Sequence, residues 1–264
     1  MRLAVTRSDR LVTAVLAAAL LLVGSTVAQD KKANTATTPA PRDGNWVKRH
    51  EGFVEIAKKG GVDLLFLGDS ITDAWGGSGR AGGPGAELFK KHFEPLKAAN
   101  FGIGGDRTQH VLWRITNGEL DGIRPKVVML MIGTNNSNGS DNTAEEIAEG
   151  VAAIVKTIHE KSPETKVLLL AVFPRAEARP KDADKVAAGG LRKKTQDVNK
   201  IIAKLDDGKR VKYLDIGPKF LDADGALTKE IMPDYLHLSP KGYQLWTDAV
   251  LPTLTEMLGA AANK

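Results

Sequence analysis

Residue types that cooperate in nucleophilic catalysis sit in two short segments of this chain. Asp69 and Ser70 follow Gly68 at the end of the apolar run DLLFLG, with Asp73 just beyond, and Asp234 precedes His237 by three residues in DYLH. A carboxylate that orients an imidazole, and an imidazole that takes a hydroxyl proton, turn a serine into a nucleophile. Gly-Asp-Ser alone is equally a turn and a helix cap. Asp234 and His237 shift the balance, because they stand between Pro233 and a capped helix and can both project from one short turn. His50 lies near an N-terminal tether, and His92, His110 and His159 fall in helix-like stretches.

A serine nucleophile also needs donors for the oxyanion created by its attack. Two segments could supply them: the glycine turn GIGGD, 102–106, through backbone N–H groups, and GTNN, 133–136, through an Asn amide. Other chemistries find less support. GIGGDR puts Arg107 where G-x-G-x-x-G needs its third glycine, and neither G-x-x-x-x-G-K-[ST] nor H-E-x-x-H occurs, which argues against nucleotide binding and zinc hydrolysis. Asp69 and Asp73 lack a third strand-end carboxylate for a magnesium site. The expectation is a site without metal or cofactor.

For these segments to meet, the intervening chain must bring them to one edge. Apolar runs at 62–68, 98–103, 126–133, 166–173 and 211–216 alternate with helical periodicity at Thr108 to Leu120, Thr143 to Glu160 and Asp184 to Leu205. Thr143 with Glu146 reads as a capping box, and Ser239 with Pro240 as the start of a last helix. Strands apolar on both faces that alternate with helices predict an α/β fold, a doubly wound five-stranded parallel sheet between helices. In such sheets ligands bind beyond the carboxyl ends of the strands, which is where GDS, GIGGD and GTNN fall. The Gly-rich stretch 76–85 reads as a mobile loop.

The 264 residues, 42% hydrophobic and 26% charged, suit one sizeable core. The net charge of +5 comes from a mixed surface without basic runs interleaved with aromatics, so nucleic acid is not an expected partner. Residues 1–28 read as a signal peptide: three arginines, an apolar run from Leu11 to Val23, and small residues at Thr26 and Ala28. Cleavage after Ala28 leaves a charge of +3 and no stable membrane span; an uncleaved anchor is the competing reading. No cysteine is present, so neither a disulfide nor a lipid attached through an N-terminal Cys is available. Residues 29–45 are expected to be a flexible linker, with the domain at 46–260.

FLGDSITDAW, NFGIGGDRTQHVLWRITNGEL, RPKVVMLMIGTNN and DYLHLSPKGY resemble, in order, the four conserved blocks of the SGNH (GDSL-type) hydrolases. The second block, with its NGEL continuation, is similar to the catalytic subunits of intracellular platelet-activating factor acetylhydrolase. The resemblance covers about residues 63 to 254 and implies a flavodoxin-like fold. It also implies hydrolysis of acyl esters through an acyl-serine, without metal. Ser70 would be the nucleophile and His237 its base, oriented by Asp234; Ser70, Gly105 and Asn135 would form the oxyanion hole.

Two features depart from those subunits: a longer Gly-rich stretch at 76–85 and an export signal. The expected substrate is therefore a short-chain, acetyl-type ester, on a small molecule or a glycan outside the cytoplasm. The alternatives are a phospholipid or lysophospholipid acyl hydrolase of the acetylhydrolase type and, in another class, a non-catalytic carbohydrate-binding domain. The related subunits pair, so a homodimer is an open expectation. Phe173, Pro174 and Arg175 could line the substrate pocket or be a plain loop; Leu112, Trp113 and Ile115 read as core or interface.

Overall fold

The computed structural model describes residues 33–78, 82–177 and 180–259. The signal segment expected at 1–28 lies outside the described residues. From Asn34 onward the chain forms one compact unit.

Five parallel strands make the sheet: β1 (Leu64–Gly68), β2 (Ala98–Asn100), β3 (Val127–Met131), β4 (Lys166–Leu170) and, fifth along the chain within this sheet, Val211–Leu214. A two-residue strand β5 (Lys185–Val186) precedes that last one, which is therefore β6, and β7 (Leu227–Thr228) pairs antiparallel with β5. The main order is β2-β1-β3-β4-β6, the doubly wound order with its switch point between β1 and β3. The strands are shorter than the apolar runs that announced them. The ladder stops at Met131 and Leu170, and the remaining apolar residues, such as Val172 and Phe173, continue as loop at the carboxyl edge.

Side chains alternate across the sheet, so each strand feeds two cores. Leu65, Leu67, Val128, Leu130, Val167 and Leu169 face one layer. That layer is built from α1 (Asn45–Lys59) and, after the short α2 (Ser70–Asp73) and α3 (Ala86–Leu88), from α4 (Thr108–Arg114), α5 (Ala144–Lys161) and α6 (Gly190–Ile202). Leu64, Phe66, Met129, Met131, Leu168 and Leu170 face α7 (Pro240–Leu258), whose Trp246, Val250 and Leu254 are fully buried.

The caps act as the sequence implies. Thr143 and Glu146 close a reciprocal box on α5, and the Ser239 hydroxyl accepts from Gly242 N–H at the start of α7. Two helices differ from expectation. The stretch to Leu120 leaves the helix at Asn117 and Gly118, where Gly118 takes φ +112°. α6 begins at Gly190 instead of Asp184, because Lys185–Val186 is drawn into the pair with Leu227–Thr228.

The linker expected over 29–45 is not free beyond Asn34. Ala36 is fully buried, its carbonyl accepts from the Thr108 hydroxyl at 2.8 Å, and the Asn34 amide donates to the Glu146 carbonyl at 3.2 Å. Gly150 on α5 permits this approach, since a Cβ there would lie 2.7 Å from the Ala36 carbonyl oxygen. In the Gly-rich stretch, the described glycines serve close packing: a Cβ on Gly77 would lie 2.4 Å from the Phe89 ring, and one on Gly85 2.6 Å from Trp75. Residues 79–81 of that stretch are outside the described residues. Among the described residues no helix is long and apolar enough to cross a membrane.

Candidate active site

β1 ends at Gly68, where a side chain cannot fit: a Cβ would stand 2.2 Å from the Thr72 hydroxyl and 2.4 Å from the Met131 carbonyl oxygen. Asp69 then caps α2 by accepting from Ile71 N–H at 3.0 Å, and Ser70 is the first helical residue. Asp69 is fully buried, and burial pushes its pKa up to about 7 against the Ile71 N–H bond and the Arg175 charge. Its Oδ2 has no hydrogen-bond partner among the described residues. Asp69 therefore shapes the turn and does not reach His237.

Ser70 Oγ lies 2.9 Å from His237 Nε2, and His237 Nδ1 lies 2.8 Å from Asp234 Oδ2. The other carboxylate oxygen of Asp234 accepts the backbone N–H of His237 at 2.7 Å and of Leu236 at 3.1 Å. Between them Tyr235 takes φ +58°, a conformation non-glycine residues rarely adopt. It holds Asp234 and His237 on one side of the turn. The turn is pinned by Ala176 N–H to the Tyr235 carbonyl at 3.0 Å and by a bond from the Tyr235 hydroxyl to the Ala183 carbonyl. The Tyr243 hydroxyl donates to the Ile71 carbonyl at 2.6 Å and so ties α7, directly after the histidine, to α2, which carries the serine.

Glycines bring the second segment up to the serine. A Cβ on Gly102 would lie 2.4 Å from Asp73 N, one on Gly104 only 3.7 Å from Ser70 Cβ, and Gly105 takes φ +79°. Among the described residues, the backbone N–H groups of Ser70 and Gly105 donate to no protein acceptor. The Asn135 amide donates one hydrogen to the Asp106 carbonyl at 2.8 Å, which leaves its second N–H for another acceptor. These three donor groups and the Ser70–His237–Asp234 chain stand at the carboxyl ends of β1, β2 and β3. An arrangement of this kind can deprotonate a hydroxyl as it attacks a carbonyl and can stabilise the oxygen that becomes negative.

The loop 102–106 is held by side chains to which the sequence assigns no such role. Asp73 accepts Gly104 N–H at 3.1 Å and both terminal nitrogens of Arg49, at 2.6 and 2.9 Å. Arg49 also donates to the Gly102 carbonyl at 2.8 Å. Arg42, inside the expected linker, donates to the Gly104 carbonyl at 2.8 Å and to Asp106 at 2.9 Å. Asp106 further accepts from Trp46 Nε1 at 2.7 Å and from Arg114 Nε at 2.9 Å. Arg114 is fully buried between Asp106 and Glu119; burial opposes its charge, the two carboxylates outweigh that, and its pKa is raised. Burial also pushes His110 down to about 4, despite Asp106 nearby. The only signal in the sequence was indirect: two acids beside a proposed oxyanion site, Asp73 and Asp106, require cations to neutralise them.

Of the other expectations, Phe173 packs in the core against Phe220 and Trp246. Arg175 is buried and donates to the Thr134 carbonyl at 2.9 Å, beside Asn135. Leu112 and Ile115 are core residues, and Trp113 packs at the margin of the core, tilted against Trp46 and edge-on to His50.

The chain is similar to known proteins over most of its length. The model of the GDSL-like lipase/acylhydrolase family matches residues 66–245. Platelet-activating factor acetylhydrolase IB subunit alpha1 of Homo sapiens is 39% identical over 216 residues, covering 80% of this chain and 85% of that protein. Subunit alpha2 of Rattus norvegicus is 40% identical over 202 residues, 76% of this chain and 80% of that one. Among solved structures, a GDSL-like lipase from Bacteroides thetaiotaomicron has a TM-score of 0.59 at 18% identity, covering 80% of this chain and 96% of that one, a likeness of fold. The chain is an ester hydrolase and belongs to the GDSL-like lipase/acylhydrolase family.

Proposed function

We propose that this protein removes acetyl or similarly short acyl groups from esters through an acyl-serine intermediate, in the manner of platelet-activating factor acetylhydrolase. The observation that carries this reading is the continuous chain Ser70 Oγ, His237, Asp234, with bonds of 2.9 and 2.8 Å, beside unpartnered N–H groups of Ser70 and Gly105. His237 takes the Ser70 proton as Oγ attacks the ester carbonyl, and Asp234 stabilises the imidazolium. The oxygen that gains charge is met by the N–H groups of Ser70 and Gly105 and by the Asn135 amide. His237 then gives its proton to the leaving alcohol. Water attacks the acyl-serine with His237 again as base, which releases the carboxylic acid and restores Ser70.

Relatives at 39–40% identity that are named as acetylhydrolases support a short acyl group. They favour a phospholipid-type alcohol over the carbohydrate expected from the sequence. The basic and apolar character of residues 1–28 is the basis for proposing that the enzyme acts outside the cytoplasm.

A fluorophosphonate should label Ser70 in the folded protein, and Ser70→Ala should abolish both labelling and turnover of nitrophenyl acetate. Labelling elsewhere, or turnover that survives the substitution, would remove the proposal. Butyrate and longer esters turned over faster than acetate would overturn the acyl assignment. A preference for acetylated sugars over a short-chain acetyl phospholipid would overturn the alcohol assignment.

A further inference from the structure

β3 ends at Met131, and Gly133, at φ +128°, turns the chain away from the ladder just before Asn135. The place of the Asn135 amide is therefore set by what holds its two neighbours. Asn136 is fully buried and fixed toward α4: its side-chain oxygen accepts Thr108 N–H at 3.0 Å, and its amide donates to Gln109 Oε1 at 3.0 Å. On the other side, the Thr134 carbonyl accepts the Ser137 hydroxyl at 2.7 Å and Ser137 N–H at 3.3 Å. Those two bonds lie within the turn and move with it. A further donor, Arg175 Nη1 at 2.9 Å, reaches the same carbonyl from outside, from the loop that follows β4.

Arg175 is buried, and the residue after it is fastened to the acid–base turn: Ala176 N–H donates to the carbonyl of Tyr235, between Asp234 and His237, at 3.0 Å. One dipeptide thus touches both halves of the site, through its backbone on the side of His237 and through a guanidinium on the side of Asn135. The charge of Arg175 also acts on Asp69, which caps α2 next to Ser70. Taking a guanidinium out of water is costly, and a charged donor holds a carbonyl more firmly than a neutral one. Here that firmness falls on the residue immediately before the oxyanion amide.

We propose that Arg175 is a positioning residue for ester hydrolysis: by gripping the Thr134 carbonyl it holds the Asn135 amide in place relative to Ser70 and His237. This rests on the role given to the Asn135 amide in the proposed reaction. Arg175 touches neither the ester nor the nucleophile; it acts through Asn135, and its contribution must disappear when that amide is absent.

The test is a double-mutant cycle on the full chain with nitrophenyl acetate, with Ser70→Ala as the blank and the urea midpoint as the check of folding. Arg175→Gln is expected to lower kcat about tenfold while KM changes less than about twofold, as for a donor displaced from the transition state. Arg175→Lys, which keeps the charge and one donor, should recover part of that loss. In the Asn135→Ala background either substitution should change kcat by less than about twofold, because the two residues act as one unit. A loss of stability alone would lower kcat by the same factor in both backgrounds, so equal factors would overturn the proposal. If Arg175→Gln does not fold, the cycle built on Arg175→Lys makes the same comparison. Undiminished kcat in Asn135→Ala would remove the role of the amide and this inference with it. An Arg175 effect that persists in Asn135→Ala, or unchanged kcat in every Arg175 variant that folds, would overturn the inference alone.

Discussion

Arg49 and Asp73 form a two-point ion pair, with nitrogen to oxygen distances of 2.6 and 2.9 Å, and together they grip both ends of the segment Gly102 to Gly104. Asp73 follows Ser70 by three residues on α2, so the pair fixes the glycine loop relative to the serine. Arg49→Ala is expected to lower kcat for an acetyl ester about tenfold while KM changes less than about twofold, as for a donor moved away from the transition state. Arg49→Lys, which keeps the charge but loses the fork, should recover part of that loss. Equal effects of the two substitutions on kcat would show that geometry at this pair is irrelevant.

Asn135 has one amide hydrogen engaged by the Asp106 carbonyl. If its second serves the oxyanion, Asn135→Ala should reduce kcat by about 10² to 10³. Steady-state kinetics beside circular dichroism checks this. A folded Asn135→Ala protein with undiminished kcat would exclude the amide from the reaction.

Gly68 has backbone on one side and Thr72 on the other, so an added methyl group cannot be relieved by a rotamer change alone. Gly68→Ala is expected to destabilise the fold by roughly 2 to 3 kcal/mol, seen as a lower urea midpoint. An unchanged midpoint would mean that the strand end shifts freely.

Asp69 has its pKa raised to about 7 in the folded protein, from an ordinary value near 3.8, chiefly by burial. Between these values the folded state holds a proton that the unfolded state has lost. Stability must therefore fall as pH rises from about 4 to 7, by roughly 4 kcal/mol for this group alone. Asp69→Asn keeps an oxygen to cap Ile71 N–H but does not titrate. The stability of the variant relative to the parent should accordingly rise by several kcal/mol across that range, as urea unfolding at pH 4.5 and pH 8 would measure. A pH-independent difference would show that Asp69 ionises normally.

Local signals in the sequence translated well into structure. Thr143 with Glu146 and Ser239 with Pro240 mark helix starts because a cap is a contact between neighbours, and the five apolar runs mark buried parallel strands because both faces are covered. Ser70, Asp234 and His237 were legible as a set because their chemistry is complementary, although 167 residues separate the serine from the histidine. The braces were not legible. Arg42 reaches Gly104 across 62 residues and Arg49 reaches Asp73 across 24, and an ion pair leaves no periodicity along the chain. Lys185–Val186 carries too few residues to announce a strand; its partner Leu227–Thr228 supplies the pairing. The contacts of the segment from Asn34 onward are equally remote in sequence, since what holds it is Thr108 and the bare surface of Gly150.

The family match begins at residue 66, whereas Arg42 and Arg49 precede it. Trimmed to the matched region, the chain would retain Asp73 and Asp106 beside the glycine loop and would lose two of the cations that neutralise them. Arg114 would still neutralise Asp106, but Asp73 would lose the ion pair with Arg49 that places it against Gly104, and the place where the ester oxygen turns negative would become less favourable to that charge. The brace of the oxyanion loop therefore begins upstream of the part recognisable as a hydrolase.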